Sequence, residues 1–328
     1  MKTSEWSFRP VVSVALFCVA LVILSGCSSA SPLTEMPFPA PVDLAPGEKL
    51  RVVATTSIVR DVAANVGRDL IDLALLIPTG TDPHSFEPIP QDVAAVADAH
   101  VLLANGVGLE GFLEPLLESA GASRRVVELS TGIRLLDAGE NRDQPAEGEP
   151  HHPDMDPHTW TDPNNVMVWV ENTERTLSTL DPRNAEAYRA NAQAYRAQLD
   201  ELDRWVRDQV ARIPVEQRLL VTDHLVFGYL ARQYGFTQVG AIIPAYTSLA
   251  QPSAKELAEL EEAIRDAGVK AVFVGHTVNP NLADTVARDT GTQLVLLYTG
   301  SLTENGGDAD TYLDYVRYNV SAIVAALK

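Results

Sequence analysis

The chain has 328 residues, 46% of them apolar and 21% charged, and a formal net charge of −19. That length suits one large domain or two of ordinary size, with enough apolar material for two cores. So acidic a surface excludes nucleic acid as a partner, and with Cys18 and Cys27 the only cysteines a thiolate-rich metal site is excluded as well.

Lys2 and Arg9 precede an apolar run from Val11 to Leu24. The run is too short and too N-terminal for an ordinary membrane span and has the shape of a secretory signal. It ends in Leu24-Ser25-Gly26-Cys27, small residues directly before a cysteine, as in a bacterial lipoprotein cleavage box. Residues 1–26 are therefore expected to be a signal peptide and Cys27 to carry the lipid. The removed segment bears Lys2, Glu5 and Arg9, a net +1, so the remainder carries −20. With Cys18 lost and Cys27 acylated, no internal disulfide is possible. A metal would have to be held by His, Asp or Glu. Residues 27–49, rich in Ser, Pro and Ala without any period, read as a flexible tether.

From Leu50 the pattern becomes regular. Strands are expected at 50–55, 70–77, 100–104 and 125–129, with helices at 57–66, 90–97 and 109–120 between them. Apolar runs alternating with helices predict βα units and a mostly parallel sheet. Residues 137–156, acidic and rich in Pro and Gly, interrupt the rhythm as a surface loop. A helix at 164–180 completes an N-terminal lobe over 50–180. Asp181 and Pro182 then form a start signal, Asp181 as N-cap and Pro182 at the first helical position. No Gly or Pro occurs between Arg183 and Ile213. This predicts one long helix within a linking segment, 181–214, on the order of 45 Å at about 1.5 Å per residue. The alternation resumes in a C-terminal lobe, 215–328. Strands are expected there at 219–222, 237–243, 271–275 and 293–298, and helices at 225–234, 253–267, 281–290 and 308–327. The fold class is α/β: two lobes, each a mostly parallel sheet flanked by helices, joined by one long rigid helix. Ligands of such sheets bind beyond the carboxyl ends of the strands, which points to the cleft between lobes.

Seven histidines are present. His84 and His158 close matching tripeptides, Asp82-Pro83-His84 and Asp156-Pro157-His158. Proline stiffens each loop, so the imidazole loses little entropy on binding a metal. The aspartates could fix the ring tautomers; a plain turn built from Asp and Pro is the alternative. His224 and His276 follow predicted strands of the second lobe, at their carboxyl ends. His224 could also cap or pack a helix, and His276 could be a cleft residue without a metal. His100 lies at the entrance of a strand and reads as structural, while His151 and His152 sit in the surface loop.

The segments PTGTDPHSFEPIPQD, ANGVGLEGFL, DPHTWTDPNN, DHLVFGYLARQYG and YTGSLTENGGDADTYLDYVRYN together resemble the metal-receptor family of ABC importers, the zinc- and manganese-binding lipoproteins of bacteria (cluster A-I). The resemblance runs from about Leu50 to the C-terminus and implies two lobes on one long helix. It also implies a metal held between the lobes by residues matching His84, His158 and His224. The family often adds an Asp in the loop after the last strand, where this chain has Gly300. The fourth ligand is thus open among His276, Glu304 or Asp308, and water. Three imidazoles without a thiolate favour Zn²⁺ over Mn²⁺, which prefers carboxylate oxygen. The resemblance implies a monomeric receptor, not an enzyme, that hands its metal to an ABC permease from an extracytoplasmic, lipid-anchored position. A secreted zinc-dependent hydrolase is the rival, because three histidines and water also form a catalytic geometry; the chain has no HExxH motif. A surface adhesin with a structural metal site is the third reading.

Overall fold

The structure, a computed structural model, describes residues 40–137 and 155–328. The expected signal segment, Cys27, the start of the tether, His151 and His152 lie outside the described residues.

Two four-stranded sheets organise the rest, and every strand pair in them is parallel. The first has the order β2-β1-β3-β4, from β1 (Leu50–Ala54), β2 (Ile71–Leu75), β3 (Val101–Ala104) and β4 (Val126–Glu128). The second repeats the arrangement as β6-β5-β7-β8, from β5 (Leu219–His224), β6 (Thr237–Ile243), β7 (Ala271–Gly275) and β8 (Gln293–Leu297). In both sheets the order reverses beside the first strand, which leaves a crevice at its carboxyl end. β3 and β7 are buried at every position. Such continuous apolar runs belong to a parallel sheet covered on both faces. Val53, Leu76 and Leu102 pack with α2 (Pro90–Asp98) and α3 (Leu113–Ala120) in the first lobe. Val221, Ile242 and Val272 pack with α7 (Ala254–Ala267) and α8 (Asn281–Thr290) in the second.

α4 (Pro163–Leu180) leads to the link between lobes. The expected start at Asp181-Pro182 is a short 3₁₀ turn over Pro182–Asn184, and α5 proper runs Ala185–Val210. Asp181 uses its carboxylate on Asn184 Nδ2 (2.6 Å) and Tyr188 OH (3.1 Å), so it braces the first turn of α5 from outside instead of capping it. At 26 residues α5 is about 39 Å long, shorter than expected by the turns at its two ends. Its N-terminal half holds the first lobe. Asn191 Nδ2 donates to Val66 O (3.0 Å) and Tyr195 OH to Asp61 Oδ2 (2.9 Å), both on α1 (Ser57–Gly67). Its C-terminal half holds the second, where Asp203 accepts from Tyr234 OH (2.9 Å) on α6 (Gly228–Tyr234). The last helix, α9 (Tyr312–Leu327), packs on α5 and reaches α1. One rod thus grips both lobes at several points.

Asp61 gives this α1–α5 joint a pH dependence. Burial pushes its carboxyl up to about 6, against the opposing hydrogen bond from Tyr195. Unfolded, it titrates near ~3.9. A raised carboxyl binds its proton more tightly in the folded state, so its contribution is fully present below ~3.9 and is lost as pH rises through about 6. The loss amounts to roughly 2–3 kcal/mol at most. Asp61→Asn keeps an acceptor for Tyr195 and removes the charge. Denaturant titrations should therefore show the variant equal to the parent near pH 4 and more stable by about 1–2 kcal/mol at pH 8. A parallel pH profile for the two proteins would contradict this.

Candidate metal centre

Three of the sequence-predicted residues meet. His84 lies in the loop after β2, His158 in the segment before α4, and His224 is the last residue of β5. Their Nε2 atoms point at one another: His84 to His158 at 3.1 Å and His224 to His158 at 3.3 Å. Ligand atoms of all three lie within 4.8 Å of one another, the one such cluster of three or more His, Cys, Asp or Glu among the described residues. Tetrahedral zinc with Zn–N of about 2.0–2.1 Å sets its ligand nitrogens about 3.3 Å apart. An octahedral centre with longer bonds has a similar edge, so the spacing speaks for a metal and the donor set decides which one.

The far side of two rings is committed. His158 Nδ1 faces Asp156 Oδ1 at 2.7 Å, and His224 Nδ1 faces Asp223 Oδ1 at 2.6 Å. Each carboxylate also accepts the backbone N–H of its own histidine. With Nδ1–H donated outward, the Nε2 lone pairs face the centre, and crowded lone pairs are relieved by a cation. Asp223 Oδ2 also accepts from Gly275 N at 2.6 Å, which ties His224 to the end of β7. Asp82 acts differently from expectation: it accepts from the His84 backbone N (3.0 Å) and from Ser248 Oγ, and so fixes the loop and not the ring.

Burial holds the imidazoles of His84 and His158 uncharged. His84 is lowered to about 4, first by burial and then by the neighbouring His224, with Asp82 and Asp223 opposing. His158 is pushed well down by burial, then by His224 and His84. Asp156 is raised by burial to about 8, and its Oδ2 is buried without a hydrogen-bond partner. That oxygen rests against Gly228 at the start of α6, where any side chain would collide with it. Uncharged imidazoles at neutral pH bind a cation without first losing a proton. His84 is only part-buried whereas His158 and His224 are 1% and 3% exposed, so His84 marks the solvent side.

His276 is not brought to this cluster. Its ring stacks on Tyr298, with centroids 4.4 Å apart and 16° between planes. It lines a separate cavity of about 220 Å³ together with Thr79, Gly80, Thr277 and Glu304. The backbone explains this: His276 N donates to Leu297 O, which extends the β7–β8 register and turns the side chain toward the loop after β8. Gly300 stands against the first lobe. A Cβ there would lie 2.7 Å from Pro83 Cδ, in the middle of the first Asp-Pro-His tripeptide. Ser301 Oγ fastens the same loop to Gly80 N (2.8 Å) and Ser57 Oγ (3.1 Å).

Sequence reading missed Asp223, although its adjacency to His224 was a usable signal. It also missed Trp160, whose ring packs edge-to-face with His158, centroids 5.2 Å apart, while Nε1 donates to Thr299 O at 2.9 Å. Asn105, Gly106, Val107 and Gly108 form a turn after β3, and the last three have φ of 83°, 57° and 74°. A β-branched residue in that region costs on the order of 1–3 kcal/mol.

The chain is similar to known proteins along most of its length. The chain is 36% identical over 282 residues to the manganese-binding lipoprotein MntA of Halalkalibacterium halodurans, covering 86% of this chain and 89% of that one. It is 31% identical over 312 residues to the iron-binding protein YfeA of Yersinia pestis, covering 95% and 94%. Among solved structures, the periplasmic zinc-binding protein TroA of Treponema pallidum superposes with a TM-score of 0.74 at 28% identity, covering 85% of this chain and 99% of that one. The manganese-bound periplasmic metal-binding protein of Candidatus Liberibacter asiaticus gives 0.74 at 25% identity, covering 85% and 100%. The model of the family described as ZnuA, the periplasmic component A of the zinc-uptake complex, matches residues 52–326. With that match spanning both lobes and all three clustered histidines, the chain belongs to the ZnuA family.

Proposed function

We propose that this protein is an extracytoplasmic receptor that captures a divalent transition metal between its lobes and delivers it to an ABC permease, with Zn²⁺ as the preferred cargo and Mn²⁺ next. The observation that carries the reading is the convergence of three imidazoles, two from the first lobe and one from the second: the Nε2 atoms of His84 and His224 lie 3.1 and 3.3 Å from that of His158, and ligand atoms of all three are within 4.8 Å of one another. His84, His158 and His224 are the proposed ligands, with a solvent molecule completing the site. Anchoring through a lipid on Cys27 fits the lipoprotein names of relatives such as MntA.

The preference for zinc rests on the donor set. Three imidazole nitrogens with no carboxylate oxygen suit Zn²⁺, whereas Mn²⁺ favours oxygen donors. Gly300 contributes no side chain, and the carboxylates of Asp156 and Asp223 are turned to the outer side of the rings. Capture begins at His84, the ring open to solvent, and ends when the buried His158 and His224 complete the set. Delivery then requires His224 to part from the first-lobe pair. Because α5 holds both lobes, that separation is a small shear or rocking and not a wide hinge opening.

The test is metal titration of chelator-stripped protein with Zn²⁺ against Mn²⁺. One tight equivalent of zinc that outcompetes manganese is expected. Manganese in preference would overturn the zinc assignment, and tight binding of neither would overturn the receptor itself.

A further inference from the structure

We propose that Asn105 is a positioning residue for the metal centre, holding His158 in register through the carbonyl of Pro157; this rests on the metal reading above. Asn105 follows β3 and is fully buried. Its Nδ2 donates to Gly106 O (2.7 Å) and to Pro157 O (3.0 Å). The amide orientation is unambiguous, because exchanging Oδ1 and Nδ2 would set an oxygen against two carbonyl oxygens. In this orientation Oδ1 is buried without a hydrogen-bond partner. A buried amide that leaves its acceptor unused is unfavourable, so the donors are what the site requires.

The peptide between Pro157 and His158 is clamped from both ends. Its carbonyl accepts from Asn105 Nδ2 and from Thr159 N (2.8 Å), and its N–H donates to Asp156 Oδ1 (2.9 Å). Rotation of that peptide would swing the imidazole away from His84 and His224, and the Asn105 bond opposes it. Asn105 is itself fixed from behind. The buried carboxylate of Glu110 accepts from Asn105 N (2.8 Å), Gly106 N (3.1 Å) and Thr55 Oγ1 (2.7 Å), and Asn105 O accepts from Ser130 N (3.2 Å). The left-handed run through Gly106, Val107 and Gly108 brings Glu110 back onto this turn. A strained conformation for a β-branched residue is kept where the surroundings need its geometry. Here the strained turn, the buried carboxylate and the orphaned amide oxygen all serve one contact, made 52 residues along the chain on the Pro157 carbonyl directly before a ligand.

The experiment compares the whole chain in detergent, parent against Asn105→Ser and Asn105→Leu, loaded with Co²⁺ as a visible-absorbing probe and titrated with Zn²⁺. Serine keeps one short hydroxyl donor in place of the amide that spans Gly106 O and Pro157 O, and leucine keeps the volume without donors. Both variants are expected to lose about 10–100-fold in zinc affinity, the range found when partners of metal ligands are removed, and to shift the cobalt d–d bands. Asn105→Ser should do so while its metal-free melting temperature stays near the parent's. A purely structural role would lower the melting temperature and leave the cobalt spectrum of the folded fraction unchanged, which would overturn the proposal. If the parent binds cobalt and both variants match its affinity and spectrum, the positioning role fails and the metal site stands. If the parent itself binds neither metal, both fail.

Discussion

Zinc affinity is expected to fall by more than about 100-fold in His158→Ala, beyond the 10–100-fold typical of changes next to a ligand. His158 is central to the cluster: its Nε2 is the atom that both His84 and His224 approach. Without it the remaining rings have lost the nitrogen between them, and two imidazoles do not make a tight site for either metal. The buried Asp156 would also lose its imidazole partner and keep only the backbone N–H of residue 158, with its other oxygen already unpaired. The same variant should lose its thermal response to metal. A ligand at 1,000 times its Kd stabilises the folded state by about 4.1 kcal/mol, so zinc should raise the parent's melting temperature by many degrees and leave the variant's nearly unmoved. His276→Ala serves as the control. Because its ring stacks on Tyr298 outside the cluster, its zinc affinity should stay within about twofold of the parent's, well under the 1.4 kcal/mol of a tenfold change. Unchanged affinity in His158→Ala, or a large loss in His276→Ala, would require a different ligand set.

The two histidine substitutions also separate what sequence can convey from what it cannot. His84 and His158 were legible because an Asp-Pro-His tripeptide advertises itself locally, and the strand before His224 announced a carboxyl end. Strand positions and the parallel class followed from apolar runs, since a doubly covered sheet leaves no polar face to confuse the pattern. Helix starts were less legible. α3 begins at Leu113 and not near Leu109 because the Glu110 carboxylate is spent on the backbone of Asn105 and Gly106, a commitment no propensity reveals. α9 begins at Tyr312, four residues late, because Thr311 caps it by accepting from Asp314 N. His276 was misleading for a related reason. Ending a strand places a residue near the cleft, but the direction of its ring depends on the register of β7 with β8 and on Tyr298. Its relation to the site is set by packing between loops, which leaves no local mark.

Gly300 is the clearest case, and its replacement by aspartate should have two separable effects. No positive φ demands glycine there; the constraint is space, with a Cβ 2.7 Å from Pro83 Cδ and 3.2 Å from its Cγ. Proline cannot yield by a rotamer change, and Ser301 holds the loop down on Gly80 N and Ser57. Any side chain must therefore displace the tripeptide that carries His84 or lift the loop. Such overpacking costs about 1–3 kcal/mol, and for a chain of this size each kcal/mol lowers the melting temperature by roughly 2–4 °C. Gly300→Ala and Gly300→Asp should share that loss. Only aspartate adds an anionic oxygen next to the tripeptide that carries His84, and an oxygen donor that reached the centre would favour Mn²⁺ relative to Zn²⁺. The ratio of the two affinities should therefore move toward manganese by about tenfold, or 1.4 kcal/mol, in Gly300→Asp and stay put in Gly300→Ala. If both variants melt like the parent, the loop does not press on Pro83. If both shift the metal ratio equally, displacement of His84 and not the added carboxylate sets the preference. If aspartate alone shifts it, the absence of a side chain at residue 300 is what keeps this centre a nitrogen site, and the close contact with Pro83 is the geometry that keeps it so.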